Sequence, residues 1–258
     1  MIETGTILNR LYEQLKSPAN NQTVTDLRIG LGYIGVRLDN DAMGIAAVLH
    51  GGLPHGCTAM PAAGSLAGSP VADLLKYIVN GKNSLEIAIG LATANALIDL
   101  PSSYAVDDRE ATTFLHLEKG IKVVMVGLFA PLVARIRTTG AELTIIEKNP
   151  ARMEILDDSE QKNALKLCDV AIVTATTLLN STFEETINSL GKPRAVAIMG
   201  PSTPLLMTIF DQTPVTHLGG AVVADSTRVM QIISEGGGTP ALRPYLRFVN
   251  LIKKYSEH

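Results

Sequence analysis

From Gly120 onward the chain alternates between short apolar runs and helical stretches, and no other feature restricts its folding as tightly. Lys122 to Phe129 (KVVMVGLF) is a continuous apolar run, the pattern of a parallel strand buried on both faces. Pro131 to Thr138 reads as a helix, Glu142 to Glu147 (ELTIIE) as a second strand, and Asp169 to Thr174 (DVAIVT) as a third, with a helix over Phe183 to Leu190 behind it. Arg194 to Met199 (RAVAIM) makes a fourth strand, Leu205 to Phe210 a short helix and Ala221 to Ala224 a fifth strand. Ser226 to Glu235 is a helix closed by Gly236-Gly237-Gly238. Parallel neighbours need a crossover between them, so this order implies right-handed strand-helix-strand units in a doubly wound, Rossmann-like sheet.

The first half has a different rhythm. Thr6 to Lys16 places Ile7, Leu8, Leu11 and Leu15 on one helical face, and Pro18 ends that helix. Two extended runs, Leu27 to Leu38 and Met43 to His50, flank the polar turn Asp39-Asn40-Asp41, which predicts an antiparallel hairpin. A Gly/Pro-rich loop follows from Gly51 to Gly68. Helices are then expected over Pro70 to Val79, stopped at Gly81, and over Leu85 to Leu100. This is the order of a small α+β module. Pro101 to Gly120 reads as the connecting segment, which divides the chain into residues 1–105 and 106–258.

Composition narrows the function. Among 258 residues, 46% are hydrophobic, enough to build substantial cores, and the formal net charge is -3. Nucleic-acid binding calls for a basic stripe or stacking aromatics. The chain has no Lys/Arg cluster, no tryptophan and only 4% aromatic residues, so no nucleic-acid partner is expected. Gly, Pro, Asn or charged residues interrupt every apolar stretch before about 18 residues, so no membrane partner is expected either. Two cysteines far apart, Cys57 and Cys168, and a start (Met1-Ile2-Glu3-Thr4-Gly5) without a basic, then apolar leader point to a reduced, cytoplasmic setting.

Ligands of open α/β sheets bind beyond the carboxyl ends of the strands. Those ends read Gly127 to Pro131 with Phe129 between, Glu147-Lys148-Asn149, Thr174 to Thr177 followed by Asn180, Gly200 to Thr203, and Asp225. Turn chemistry alone explains any one of these; their co-location is what suggests a site. The loop at Gly127 has one glycine where a dinucleotide fingerprint needs three, so NAD or FAD in the usual mode is not expected. Glu147, 20 residues on, stands where a carboxylate takes ribose hydroxyls in Rossmann proteins, or is simply a solvated strand-end acid. Thr174 and Thr176 can cap the following turn or bind an anion. Gly200-Pro201-Ser202-Thr203-Pro204 has the make-up of an anion nest, and without a G-x-S-x-G elbow Ser202 is not read as a hydrolase nucleophile.

In the first half, His50, His55 and Cys57 have the donor chemistry for zinc, cobalt, nickel or copper, in a spacing that fits no standard zinc pattern. A lid or turn is the competing reading of that loop. Asn95 is polar among alanines and leucines, facing either the seam between the two halves or solvent. Cys168 precedes a buried strand and reads as an inert core thiol.

Several stretches resemble a family of proteins labelled for heavy-metal chelation, the domain of unknown function 364. They are Ile89 to Asp99, Val123 to Val133, Ile145 to Pro150, Cys168 to Glu185, Met199 to Leu205 and His217 to Asp225. The resemblance implies an enolase N-terminal-like α+β domain followed by the Rossmann-like domain, with a site between them. It also implies metal chelation, or chemistry on flavin-, pterin- or siderophore-like molecules. The seam residues would include Asn95, Gly127, Glu147, Thr174, Thr176, Asn180, Gly200 and Ser202. Enolase chemistry does not follow, because the metal-binding barrel is absent. The leading expectation is a protein that binds a small-molecule ligand in the interdomain cleft, read as an enzyme of heavy-metal chelation or of pterin-, flavin- or siderophore-like metabolism, with a divalent heavy metal as the candidate cofactor and a homodimer left open. Beside it stand a non-catalytic metal-binding protein using His50, His55 and Cys57, and a methyltransferase-like enzyme.

Overall fold

The computed structural model describes residues 1–52, 57–100 and 111–253. Helix α1 (Thr6–Leu15) buries the stripe Ile7, Leu8, Leu11 and Leu15 as its spacing predicts. Strands β1 (Val24–Ile29), β2 (Tyr33–Leu38) and β3 (Met43–Ala47) form an antiparallel sheet in the order β1-β2-β3. The turn at residues 39–41 is where the sequence predicts it. The run expected as one strand over Leu27 to Leu38 is instead a hairpin, closed by the Gly30 N–H on the Tyr33 carbonyl at 2.9 Å. Its apolar pattern continues through the turn because Leu31 stays apolar although it is exposed, which hides the reversal. A Cβ on Gly30 would meet the Ile233 carbonyl at 2.1 Å, so this tip packs backbone against backbone.

The helix expected over Pro70 to Val79 is two short pieces, α2 (Val71–Leu75) and α3 (Tyr77–Asn80), joined at Lys76, which keeps helical angles. Helix α4 (Ser84–Leu97) is buried almost all round and ends three residues short of Leu100. Asn83 caps it through the Glu86 N–H at 3.0 Å. Gly44 of β3 lets the sheet reach the backbone of α4, since a Cβ there would lie 2.1 Å from the Ala92 carbonyl.

The second half is a six-stranded sheet. In chain order it runs β4 (Lys122–Val126), α5 (Ala130–Thr138), β5 (Glu142–Ile146), α6 (Asp158–Leu167), β6 (Val170–Thr174), α7 (Phe183–Asn188), β7 (Ala195–Met199), β8 (His217–Val223), α8 (Ser226–Ser234), α9 (Thr239–Leu242) and β9 (Leu246–Ile252). The spatial order is β5-β4-β6-β7-β8-β9, parallel through β8 with β9 antiparallel at the edge. Alternate strand residues feed opposite cores. Val124, Ala171, Val173, Val196 and Ile198 pack with Leu165 of α6 and Phe183 of α7, whereas Val123, Met125, Val170, Ile172 and Ala197 pack with Ile136 of α5 and with Leu115 of the 3-10 turn before β4. Both faces are therefore covered, and each buried Val or Ile contributes about 1.5–3 kcal/mol.

The fifth strand begins at His217 rather than Ala221, since His-Leu-Gly-Gly has little β-propensity of its own. Leu205 to Phe210 holds only a 3-10 turn at Met207–Phe210. The small sheet is sandwiched in turn. Ile34, Val36, Leu38 and Ala46 join the core around α4, and Tyr33, Met43 and Ile45 pack on Val229, Met230 and Ile233 of α8. The expected division between residues 105 and 106 falls within 101–110, outside the described residues.

Candidate functional site

Strand β4 lies between β5 and β6, so the chain leaves it in opposite directions along the sheet, and a crevice must open beyond the ends of β4 and β6. Gly127 closes β4 there with φ +87°, and a Cβ on it would meet the Thr174 side chain at 2.8 Å. The bare backbone of one strand end thus lies against the hydroxyl-bearing end of the next. Gly200, at the end of β7 with φ +118°, faces the ring of Phe129 at 3.8 Å from its own missing Cβ. These ends, with Tyr33, Ala47, Val48, Leu49 and His50 of the small sheet and the turn after it, line one cleft of about 1810 Å³.

Eight of the ten residues singled out as ligand-binding candidates line this cleft: Gly127, Phe129, Glu147, Thr174, Thr176, Asn180, Gly200 and Ser202. Asn95 and Thr203 line a separate cavity of about 230 Å³ at the seam, between β3, α4 and β8. The Thr203 hydroxyl is committed to the Gly200 and Gly219 carbonyls at 2.7 and 3.0 Å. Asn95 donates through Nδ2 to the Ile45 and Ser202 carbonyls, and its buried Oδ1 has no partner. Asp225 caps α8 through the Arg228 N–H at 2.9 Å and is not among the cleft-lining residues.

Glu147 is only 9% exposed, and protein groups fill its acceptor sites. Oε1 accepts the Lys148 and Asn149 N–H groups at 2.8 and 3.1 Å; Oε2 accepts the Leu128 N–H at 3.2 Å and Nη1 of Arg152 at 2.8 Å. Arg152 also donates to the Leu128 carbonyl at 2.8 Å. The carboxylate therefore ties the β4 and β5 loops together and holds a guanidinium at the cleft rim. Thr174 Oγ1 accepts from the Thr176 N–H at 3.4 Å and lies 3.0 Å from Thr176 Oγ1, so the pair caps its own turn while facing the cleft. Asn180 is held by the Thr182 hydroxyl at 2.7 Å across Ser181, which sits at φ +57°. Ser202, 2% exposed, accepts the Ala47 N–H at 2.8 Å and joins the large sheet to the small one.

Sequence reading missed the charge of this cleft. Arg135, Lys148, Arg152, Lys162 and Arg243 all line it, against Glu147, Asp158 and Glu185. The cations come from α5, the β5 loop, α6 and the turn before β9, too scattered to register as a basic cluster. Arg243 lies over the Phe248 ring at 4.9 Å from its centroid. Tyr33, whose hydroxyl is 2.7 Å from Thr239 Oγ1, has its phenol pushed up by burial.

The fit of a metal can be tested on these donors. His50 sits exposed in a 3-10 turn on the cleft, Cys57 is exposed, and His55 lies outside the described residues. Among the described residues no three His, Cys, Asp or Glu are grouped to hold an ion. Cys168 is buried, with its thiol pushed up to about 11 by burial, so it carries a proton rather than a metal. The described donors do not fit a metal centre. No helix among the described residues is long and apolar enough to cross a membrane.

Two family models match the chain. DUF364, described as "Putative heavy-metal chelation", covers residues 110–252, and DUF4213, with the same description, covers residues 12–98. An uncharacterized protein of Methanocaldococcus jannaschii is 21% identical over 163 residues, 60% of this chain. The match takes in 63% of that relative, less than two thirds of its length. The crystal structure of a DUF364-family protein of unknown function from Pyrococcus horikoshii superimposes with a TM-score of 0.79 at 19% identity, over 96% of this chain and 100% of that one. A second, from Desulfitobacterium hafniense, gives 0.71 at 21% identity over 95% and 99%. At these identities the likeness establishes a shared fold across both halves.

Proposed function

The chain belongs to the DUF364 heavy-metal chelation family, and we propose that it acts by binding an anionic small molecule in the cleft between its two sheets. One observation carries this reading. Strand ends far apart in sequence, at Gly127, Glu147, Thr174 and Gly200, meet in a single cleft, and the charges that rim it are mostly positive. Hydroxyls and cationic side chains at such ends hold carboxylate or phosphate oxygens, while the N–H groups of Leu128, Lys148 and Asn149 are already taken by Glu147. Phe129 and Phe248 add apolar area for a planar portion, as in pterin- or flavin-like compounds. The methyltransferase-like alternative is weaker, because a ribose would have to displace partners already bound to Glu147. The alternative built on His50, His55 and Cys57 draws no support from a three-donor cluster among the described residues.

Thermal shifts with citrate, pterins, nucleotides, S-adenosyl compounds and synthetic chelators test the reading. A ligand at one hundred times its Kd adds about 2.7 kcal/mol, which for a chain of this size raises Tm by roughly 5 to 10 °C. At least one polyanion in the panel is expected to do so. Gly127→Val fills the space beside Thr174 and abolishes the shift. Shifts that persist unchanged in Gly127→Val and in Lys148→Glu/Lys162→Glu contradict the proposal.

A further inference from the structure

We infer that a heavy metal reaches this cleft only inside an anionic complex, with its coordinating atoms supplied by a chelating small molecule that the protein grips by its outer oxygens. The inference rests on the reading above and narrows its ligand to a metal chelate. The family description concerns a cation, yet the cleft is built for the opposite charge.

Lys148 and Lys162 line the cleft, and neither forms an ion pair with a carboxylate among the described residues. Arg243 lies with its guanidinium over the Phe248 ring and forms no ion pair with a carboxylate among the described residues. Of the acids that line the cleft, Glu147 is consumed by Arg152 and three N–H groups, which leaves Asp158 and Glu185. A bare divalent ion entering here meets net repulsion. Among the described residues it also finds hydroxyls, amides and the single imidazole of His50, with no group of three His, Cys, Asp or Glu, a poor donor set for nickel, cobalt, copper or zinc.

The same groups suit a chelate. Once a polycarboxylate has filled the coordination sphere of a divalent ion, the complex is negative overall and turns carboxylate oxygens outward. Lys148, Lys162 and the turn hydroxyls at Thr174 and Thr176 are donors of the right kind for those oxygens. The cleft, about 1810 Å³, is large enough for a whole chelate rather than a single ion.

The test uses the full chain with five probes: nickel ion alone, citrate, nickel citrate, EDTA and nickel EDTA. Equilibrium dialysis followed by elemental analysis reads the retained metal, and calorimetry reads affinity. Nickel presented alone is not retained, whereas at least one of the two complexes is retained with metal and chelator in equal amounts. Lys148→Glu/Lys162→Glu weakens that binding tenfold or more, and Lys148→Gln/Lys162→Gln weakens it less; an unchanged circular dichroism spectrum shows that both variants fold.

Stoichiometric retention of nickel ion alone, lost in His55→Ala/Cys57→Ala, overturns the inference in favour of a protein-built metal site. Binding of free citrate or EDTA without binding of their nickel complexes also overturns it, while leaving the anion-binding cleft intact. If no probe binds while another polyanion of the thermal-shift panel does, this inference falls and the reading beneath it stands; if nothing in that panel binds either, both fall.

Discussion

Glu147 illustrates how a residue can line a candidate site and shape it indirectly. Its position at the end of β5 invites a ligand-binding reading, but its oxygens receive three N–H groups and the Arg152 guanidinium. The side chain fixes the loops that shape the cleft and sets the aim of a cation. Glu147→Gln keeps the shape and loses the charge, and should lower stability by about 1–3 kcal/mol in urea unfolding, the usual cost of breaking a buried charge-assisted set. His217 carries a pH dependence. Burial holds its imidazole below the ordinary value of 6.5, and Thr216 Oγ1 sits 2.6 Å from Nδ1. The unfolded chain takes up a proton near pH 6.5 that the folded chain resists. The contribution of His217 is therefore present above that pH and lost as pH falls. Tm should drop more steeply below pH 6.5 in the native chain than in His217→Gln. At the cysteines, alkylation of the folded protein should modify the exposed Cys57 and spare Cys168.

At the scale of elements, close backbone approaches decide what the sequence can tolerate. Gly44→Ala would place a methyl 2.1 Å from the Ala92 carbonyl of the central helix α4, and on the order of 3 kcal/mol of destabilisation is expected by chemical denaturation. The elements legible in the sequence were those whose local pattern and tertiary setting agree. The apolar runs of β4, β5, β6 and β7 and the stripe of α1 needed nothing from elsewhere in the chain. Helix α6 is hard to read from the sequence, although Asp157 and Glu160 form a capping box at its start. Its exposed, mostly polar face gives a weak apolar rhythm, and only Leu165 is buried. Strand β9 gives a weak signal because Arg247 and Asn250 interrupt the apolar run LRFVNLI, which pairs antiparallel at the edge. The candidate cleft was legible as a set of strand ends, because parallel topology alone brings those ends together. Its cations were not, since Lys148, Lys162 and Arg243 become neighbours of one cleft only after three separate crossovers. The commitment of Ser202 and Asn95 to the seam was hidden for the same reason, because their partners lie 155 and 107 residues away.

Across the whole molecule, the two sheets are not loosely tethered. One continuous core takes in Ile34 and Val36 of the small sheet, Ile89 and Leu91 of α4, and Val173 and Ile198 of the large sheet. Buried Glu184 of α7 accepts the Ile7 N–H at the start of α1, so the first helix of the chain docks on the second half. Ser202 joins the halves from the other side. Such coupling predicts a single cooperative calorimetric transition, with Ser202→Ala lowering stability by about 1–3 kcal/mol because the Ala47 N–H loses its acceptor. It also means that the cleft walls are held in place before any ligand arrives, which favours tight binding by removing an ordering cost. The most direct measurement of the central claim is an amide NMR titration with whichever anion gives the largest thermal shift. The account predicts saturable shifts concentrated at Gly127 to Phe129, Lys148 and Asn149, Thr174 to Thr177, and Gly200 to Ser202. Saturable shifts confined to surfaces away from these strand ends, with the ends themselves unmoved, would contradict it.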